Sequence, residues 1–215
     1  MEPITLREAM EWLRRGAPPR AEIEPRVGRA ESIPDVRESI CNHLAREDWV
    51  EMVSYAIPCQ EVVDYLTQTP LLEIGAGTGY WAALLCKAGG DVIATDVLGN
   101  GETSRYRQNV GIYHPVLRSN AAHAVRSHAE RDVLCIWPCY RSRWIVPALK
   151  MARPGVRVHI IGEGVGGATG SDRMFDMLRS DFTEERRMSI PTWRGVHDHL
   201  TTYIVGESHE RSITA

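Results

Sequence analysis

The sequence predicts an α/β protein in which a mostly parallel β-sheet is covered by helices on both faces. From residue 70 onward, short apolar segments rich in Val and Ile alternate with helix-length segments. This alternation is typical of doubly wound parallel sheets. The last two expected strands, EERRMSI and HLTTYIVG, are joined by a loop without a helix. We therefore expect the final pair of strands to be antiparallel.

The composition of the 215-residue chain is that of a soluble globular protein with a sizeable core, since 43% of the residues are hydrophobic and 25% are charged. The formal net charge of -3 gives no general attraction to nucleic acid or anionic membranes. No apolar run reaches the roughly 18 residues that a membrane span needs, and the amino terminus is too polar for a secretory signal. Five cysteines, an odd number, suit free thiols in a reducing compartment. We expect a cytoplasmic protein.

The first 55 residues are expected to form a helical cap in front of an α/β domain at residues 56–215. A capping box formed by Thr5 and Glu8 starts a helix over residues 1–16, and a second helix is expected from Asp35 to about Tyr55. The segment between them is rich in Pro, Gly and charge, so it predicts a loop.

The α/β region then predicts helices and seven strands in a fixed order. A helix from Gln60 to Thr67 precedes the first strand, and Pro147 indicates that the helix near residues 143–151 starts late or kinks. The expected strands are LLEIG, DVIATD, PVLRSN, DVLCIW, VRVHIIG, EERRMSI and HLTTYIVG, and the helices between them include YWAALLCKAGG, AAHAVRSHAE and DRMFDMLRS.

Three alternate glycines follow the first expected strand, in LLEIGAGTGYWAALL at residues 71–85. Gly75, Gly77 and Gly79 allow a sharp turn and let a ligand approach the main chain closely. A dinucleotide-binding fingerprint has glycines at positions one, three and six, whereas here position six is Tyr80. The turn therefore predicts a nucleotide-containing cofactor, and because the sixth-position glycine is missing, NAD is not the first choice.

The pattern Glu73-x-Gly75-x-Gly77-x-Gly79, between the first strand and the first helix, resembles motif I of the class I S-adenosylmethionine-dependent methyltransferases. The resemblance covers residue 56 to about residue 206. It implies a Rossmann-like fold whose seven-stranded, mostly parallel sheet has an antiparallel last strand, and it implies S-adenosylmethionine as the cofactor. The segments SYAIP, IATD, WPCY and IGEGVGGATG look like those of a little-characterised bacterial and fungal methyltransferase group with a Trp-Pro-Pro-Tyr type motif.

The resemblance also implies roles for individual cofactor-binding residues. Glu73 is expected to hold the amides of the turn or the methionine ammonium. Asp96 closes the second strand, where the family has its acid for the ribose hydroxyls, although a helix cap is the alternative. Val97 and Leu98, just beyond it, are expected to pack on one face of the adenine. Asn120 and Ala121 match the adenine-binding position after the third strand, and Asn120 is also a common helix-cap residue.

The segment DVLCIWPCY, at residues 132–140, resembles the Asn/Asp-Pro-Pro-Tyr/Phe motif of amino-methylating enzymes. Trp137 replaces the polar residue that would hold the target nitrogen, which removes the chemical basis for a nucleobase or glutamine acceptor. Trp137 and Tyr140 are expected to form an aromatic wall near the sulfonium or to pack in the core. Tyr55 is expected near the cofactor.

Glu163, in a glycine-rich loop after the fifth strand, is a candidate for acceptor binding or proton removal, with a structural partner of a nearby Arg as the alternative. Tyr140 and His114 complete the set of catalytic candidates. His197 and His199 share a strand face but lack a third ligand, so we expect no metal.

These features predict methyl transfer to N or O of a small polar molecule, in secondary metabolism, with residues 1–55 capping the acceptor pocket. One alternative is a nucleic-acid or protein methyltransferase that uses RSHAERD and RSRW as basic contacts. Another is a non-catalytic, cofactor-binding partner protein, and an NAD oxidoreductase comes last. We expect a small-molecule acceptor as the partner, and neither a membrane nor a nucleic acid. The sequence leaves open whether the protein forms a homodimer.

Overall fold

The computed structural model describes residue 50 and residues 53–99, 112–193 and 195–206. The predicted helix over residues 1–16 and most of the helix predicted from Asp35 lie outside these residues. Residues 53–59 are not helical, so that second helix does not extend to Tyr55. The described elements are α1 (Gln60–Leu66), β1 (Leu71–Ile74), α2 (Tyr80–Lys87), β2 (Val92–Asp96), β3 (Val116–Arg118), α3 (Ala121–Ser127), β4 (Asp132–Ile136), α4 (Ile145–Leu149), β5 (Arg157–Gly162), α5 (Asp172–Asp181), β6 (Phe182–Ser189) and β7 (His199–Val205).

The seven strands form one sheet in the order β3-β2-β1-β4-β5-β7-β6. The pairs β2–β3, β1–β2, β1–β4 and β4–β5 are parallel, whereas β7 runs antiparallel to both β5 and β6. The predicted fold class is confirmed. The strand order reverses between β1 and β4, and in open α/β sheets a ligand crevice lies at such a switch point, outside the carboxyl ends of the strands.

Both faces of the sheet are buried at the central strands β1, β4 and β5, as their continuous apolar sequences predict, whereas the edge strands β3 and β6 are largely exposed. Leu71 belongs to an apolar cluster with α1 and α2 on one face, and Leu72 and Ile74 belong to a second cluster with α3, α4 and α5 on the other. The four cysteines of the described residues are free thiols, and burial raises the pKa of the Cys135 thiol. No helix within the described ranges is long and apolar enough to cross a membrane.

Local sequence signals explain where the helices around the site begin. Helix α4 starts at Ile145, so Pro147 lies in its first turn, where its missing N–H leaves no helical hydrogen bond unmade. The prediction of a late start is confirmed. Asn120 caps α3 and Ser171 caps α5, each through a side-chain oxygen that accepts a backbone N–H.

Candidate functional site

The glycine turn after β1 has a left-handed backbone conformation that residues with a side chain rarely adopt. Gly75, Gly77 and Gly79 have φ values of 69°, 56° and 74°. A Cβ on Gly79 would lie 2.9 Å from the carbonyl oxygen of His114, and one on Gly75 would lie 3.0 Å from the ring of Trp144. Both the left-handed conformation and the close neighbours therefore require glycine here.

Asp96 ties the glycine turn to the end of β2. Its Oδ2 accepts a hydrogen bond from the backbone N–H of Gly77 at 3.1 Å, and its Oδ1 accepts one from the N–H of Leu98 at 3.0 Å. Each carboxylate oxygen can accept a further hydrogen bond. Asp96 is half-buried, so it can present this remaining capacity to a hydroxyl-bearing ligand beside the turn.

A cleft of about 330 Å³ opens above the glycine turn at the carboxyl ends of β1, β2 and β4. Its walls come from residues 53–55, the turn, the start of α2, the end of β2 and the chain after β4. Glu73, which is 2% exposed, contributes to the lining at the end of β1. Six of the predicted cofactor residues line the cleft, namely Tyr55, Glu73, Gly75, Gly77, Asp96 and Trp137.

An aromatic wall formed by Tyr55 and Trp137 borders the cleft. The two rings stack with centroids 4.8 Å apart and an angle of 11° between their planes. The indole N–H of Trp137 donates to Oδ2 of Asp198 at 2.8 Å, and the Trp137 backbone has a φ of 50°. Ser54, the residue before Tyr55, accepts a 2.9 Å hydrogen bond at its Oγ from the indole N–H of Trp81. Several independent contacts therefore fix the wall.

Asp198 is the site residue that sequence reasoning missed. It is 5% exposed and immediately precedes β7, 61 positions from Trp137 along the chain. A buried acid at a strand end is the only local signal, and nothing in the sequence connects it with the indole. The pairing of β5 with β7 brings the two side chains together.

Four predicted cofactor residues do not line the cleft. Gly79 supports the turn from behind, where it caps α2. Val97 is 64% exposed, and Leu98 lines the cleft in its place. Asn120 is exposed and uses its Oδ1 to accept the N–H of Ala122, so the alternative helix-cap role is the one observed, with Ala121 as the first residue of α3.

Glu163 and Tyr140 line a separate depression of about 630 Å³ together with His197. The Glu163 carboxylate closes its own glycine-rich loop, since Oε2 accepts the N–H of Ala168 at 2.6 Å and Oε1 accepts the N–H of His197 at 3.0 Å. Tyr140 is 59% exposed, with the Arg141 guanidinium 5.0 Å from its ring centroid. The structure therefore places these two catalytic candidates in this depression and not in the lining of the cleft.

His114 also lies outside the cleft lining, where its backbone and Cβ pack against Gly79. Burial lowers the pKa of its imidazole. His199 directs Nδ1 to the carbonyl oxygen of His197 at 3.1 Å. In the part of the chain that the structure describes, no group of three or more His, Cys, Asp or Glu side chains could hold a metal ion. Glu163 and Tyr140 line one depression, whereas His114 lines neither that depression nor the cleft, so the three predicted catalytic residues are not assembled into one centre.

Comparison with known proteins supports the fold at low sequence identity. No protein-family model and no curated protein sequence matches the chain. The 1,6-didemethyltoxoflavin-N1-methyltransferase of Burkholderia thailandensis, solved with its substrate and S-adenosylhomocysteine, is 17% identical and has a TM-score of 0.50 over 84% of this chain and 94% of its own. The magnesium protoporphyrin IX methyltransferase of Synechocystis PCC 6803, solved with S-adenosylmethionine, is 13% identical and has a TM-score of 0.47 over 92% and 91%. The likeness to the first protein concerns the fold.

Proposed function

We propose that this protein is an S-adenosylmethionine-dependent methyltransferase that methylates N or O of a small polar molecule in secondary metabolism. The carrying observation is the left-handed glycine turn whose middle amide, from Gly77, is held by Asp96 at the floor of the cleft. Bare backbone at one strand end and a carboxylate at the next are the groups that a ribose-bearing amino-acid cofactor needs. The shared fold with a methyltransferase supports this assignment.

The donor groups in the cleft fit this cofactor. Asp96 can accept from ribose hydroxyls, the Glu73 carboxylate can hold an ammonium, and Leu98 offers an apolar contact to a base. The stacked rings of Tyr55 and Trp137 favour a nearby positive charge by about 0.5 to 2 kcal/mol. When bound, S-adenosylmethionine supplies an activated methyl group on its sulfonium.

The chain itself contributes mainly position and exclusion of water. Among the described residues no histidine lines the cleft, and the acid beside the aromatic wall, Asp198, holds the indole of Trp137. Alignment of two reacting groups alone can supply several kcal/mol of barrier reduction. An acceptor that is nucleophilic without a strong base, such as a neutral amine, suits this site best.

The amino-terminal segment is proposed as the cap that selects the acceptor. Val53, Ser54 and Tyr55 line the cleft directly, which supports this role for the segment. The concave site and the net charge of -3 favour a small acceptor over a polyanion. We propose that the activity is cytoplasmic and that residues 1–55 act together as the cap.

Calorimetric titration with S-adenosylhomocysteine tests the cofactor assignment. The folded wild-type protein should bind it, and Asp96→Asn should weaken binding by roughly 10- to 100-fold, because hydrogen bonds to a charged group contribute about 1.5 to 3 kcal/mol. Asp91→Asn is the matched control, since Asp91 precedes the opposite end of β2 and pairs with Arg131. Uptake of NAD instead of S-adenosylhomocysteine would contradict the assignment.

Methyl transfer is tested separately by following S-adenosylhomocysteine release from S-adenosylmethionine in the presence of panels of small amines and phenols. Release that depends on one such acceptor supports the enzyme. Tight cofactor binding without release on any nitrogen or oxygen nucleophile would support the non-catalytic partner protein instead.

A further inference from the structure

A third concavity lies between α3, α4 and α5, on the face of the sheet opposite α1 and α2. Its volume is about 860 Å³, and it shares no lining residue with the cleft. The segment 141–143, the outer side of α4 and the first residues of α5 form its walls. We call it the basic depression because of the charges described next.

Four cationic side chains line the basic depression, namely Arg141, Arg143, Lys150 and Arg173, and Asp172 is the one acid among its lining residues. Its formal charge is therefore +3, whereas the whole chain carries -3. Cations gathered in a concave surface with low-dielectric walls focus a positive potential and concentrate anions.

These four cations differ from several arginines elsewhere on the molecule that are held in ion pairs. Arg131, Arg157 and Arg187 each bind a carboxylate, with nitrogen–oxygen distances of 2.9, 2.7 and 2.9 Å. Within the described ranges, none of the four side chains in the basic depression forms an ion pair. Apart from the one charge of Asp172, the lining residues do not offset this positive charge, and an anion would.

Two of these cations occupy locally unfavourable positions, one because of its backbone conformation and the other because of its charge. Arg141 has a φ of 57°, which is uncommon for a residue other than glycine, and its N–H donates to the carbonyl oxygen of Gly170 at 2.6 Å. Arg173 lies in the first turn of α5, where the helix dipole disfavours a cation. Strained backbone concentrates at functional sites, and neutralisation of Arg173 by a bound anion would remove the unfavourable interaction with the helix dipole.

We propose that the basic depression binds the phosphate groups of a small phosphorylated ligand. Guanidinium groups bind phosphate oxygens through two parallel hydrogen bonds, and three arginines converge here. A volume of about 860 Å³ lies within the range of small-molecule sites. The proposal does not depend on the methyltransferase function.

The shape of the charge distribution favours a compact ligand over a nucleic-acid strand. Proteins that bind nucleic acids typically carry a basic stripe and a positive domain charge. Here the unneutralised cations described above lie within one concavity of an acidic chain. A ligand with two or three adjacent phosphates matches that confined field.

Calorimetric titration of the full chain with inorganic tripolyphosphate at low salt tests the proposal. The wild type should bind it saturably, and the double variant Arg143→Gln/Arg173→Gln should bind at least about tenfold more weakly, because several charge-assisted hydrogen bonds are lost. Arg126→Gln is the matched control: Arg126 is an exposed arginine on α3 that does not line the basic depression. Its affinity should equal that of the wild type.

Two further arms identify the source of the phosphate. Adenosine 5′-diphosphate should compete with tripolyphosphate, whereas a 12-nucleotide single-stranded RNA should not bind more tightly than either. The single variant Arg173→Gln guards against a folding defect, since it removes an unfavourable charge from the start of α5. The proposal is overturned if the folded variants bind tripolyphosphate as the wild type does, if the wild type shows no saturable binding, or if only the RNA binds with a steep salt dependence.

Discussion

The amino and carboxyl ends of β4 and β5 differ in their side-chain hydrogen bonds and in their backbone conformation. At the amino ends, Asp132 accepts hydrogen bonds from the hydroxyl of Thr69 at 2.8 Å and from the N–H of Arg157 at 2.9 Å. Buried His159 shares a 2.9 Å hydrogen bond with the hydroxyl of Thr202. At the carboxyl end of β4 the chain leaves the sheet through Trp137, whose φ is 50°.

This difference indicates that the two edges of the sheet have different tasks. The amino edge is hydrogen-bonded and its residues, the left-handed Gly155 included, do not line the cleft, so it contributes to stability. The carboxyl edge carries left-handed glycines, a left-handed tryptophan and the cleft, so it holds strain that a ligand site can use. Substitutions at the amino edge should therefore change stability alone, and substitutions at the carboxyl edge should change ligand affinity.

The largest expected effect is on cofactor affinity in Gly77→Val. The branched side chain cannot adopt a φ of 56° without strain, and a shift of the Gly77 amide would release Asp96. We expect the affinity for S-adenosylhomocysteine to fall by about 100-fold or more, which corresponds to roughly 2.7 kcal/mol. Calorimetry on the folded variant measures it.

Gly155→Val is the matched control at the amino edge. Gly155 has a φ of 83°, and a Cβ there would meet nothing within 4 Å. The control should lose about 1 to 3 kcal/mol of stability through strain alone and keep its cofactor affinity. Equal affinities of both variants and the wild type would mean that the glycine turn does not bind the cofactor.

Asp132→Asn tests the amino edge and should have the next largest effect. The substitution removes a largely buried carboxylate that accepts two hydrogen bonds and lies 3.9 Å from the His159 imidazole. We expect the free energy of unfolding at pH 7 to fall by about 1 to 3 kcal/mol, with no change in cofactor affinity. Urea denaturation measures the first quantity, and a change in affinity would contradict the division between the edges.

The same variant carries a pH signature. Burial raises the pKa of Asp132, but the interactions with His159, the Arg157 N–H and Thr69 outweigh burial and hold that pKa below its ordinary value. Between the folded pKa and the unfolded value of about 3.9, the unfolded chain binds more protons, so acid favours unfolding. The contribution of Asp132 is complete above the unfolded pKa and is lost as the pH falls through the folded pKa. The stability of Asp132→Asn should therefore depend less on pH in this acid range.

The sequence predicted the features that depend on residues close in the chain. The glycine turn, the late start of α4 and Asp96 beside the turn follow from residue type and strand position, and strand alternation predicted the sheet. The helix cap at Asn120 was one of two alternatives, because one amide oxygen can serve either role.

The contacts around the aromatic wall were beyond sequence reasoning. Trp137 stacks on Tyr55 and donates to Asp198, which are 82 and 61 positions away. Such partners are set by the packing of distant elements, and residue type alone does not identify them. Glu163 was expected at the acceptor because acids at carboxyl strand ends often serve there. Its loop folds back so that two backbone amides reach the carboxylate first.

Glu163→Gln should have the smallest effect of these substitutions, and it tests a residue of the carboxyl edge that does not line the cleft. A glutamine keeps one acceptor oxygen, so one of the two amides, Ala168 or His197, should lose its partner. The exchange rate of that amide with deuterium should rise by roughly tenfold, equivalent to about 1 kcal/mol of local stability. Cofactor affinity should not change, since Glu163 does not line the cleft. Unchanged amide protection together with methyl transfer reduced about 100-fold would instead identify Glu163 as a general base. The carboxyl edge would then act on the acceptor through Glu163 as well as binding the cofactor.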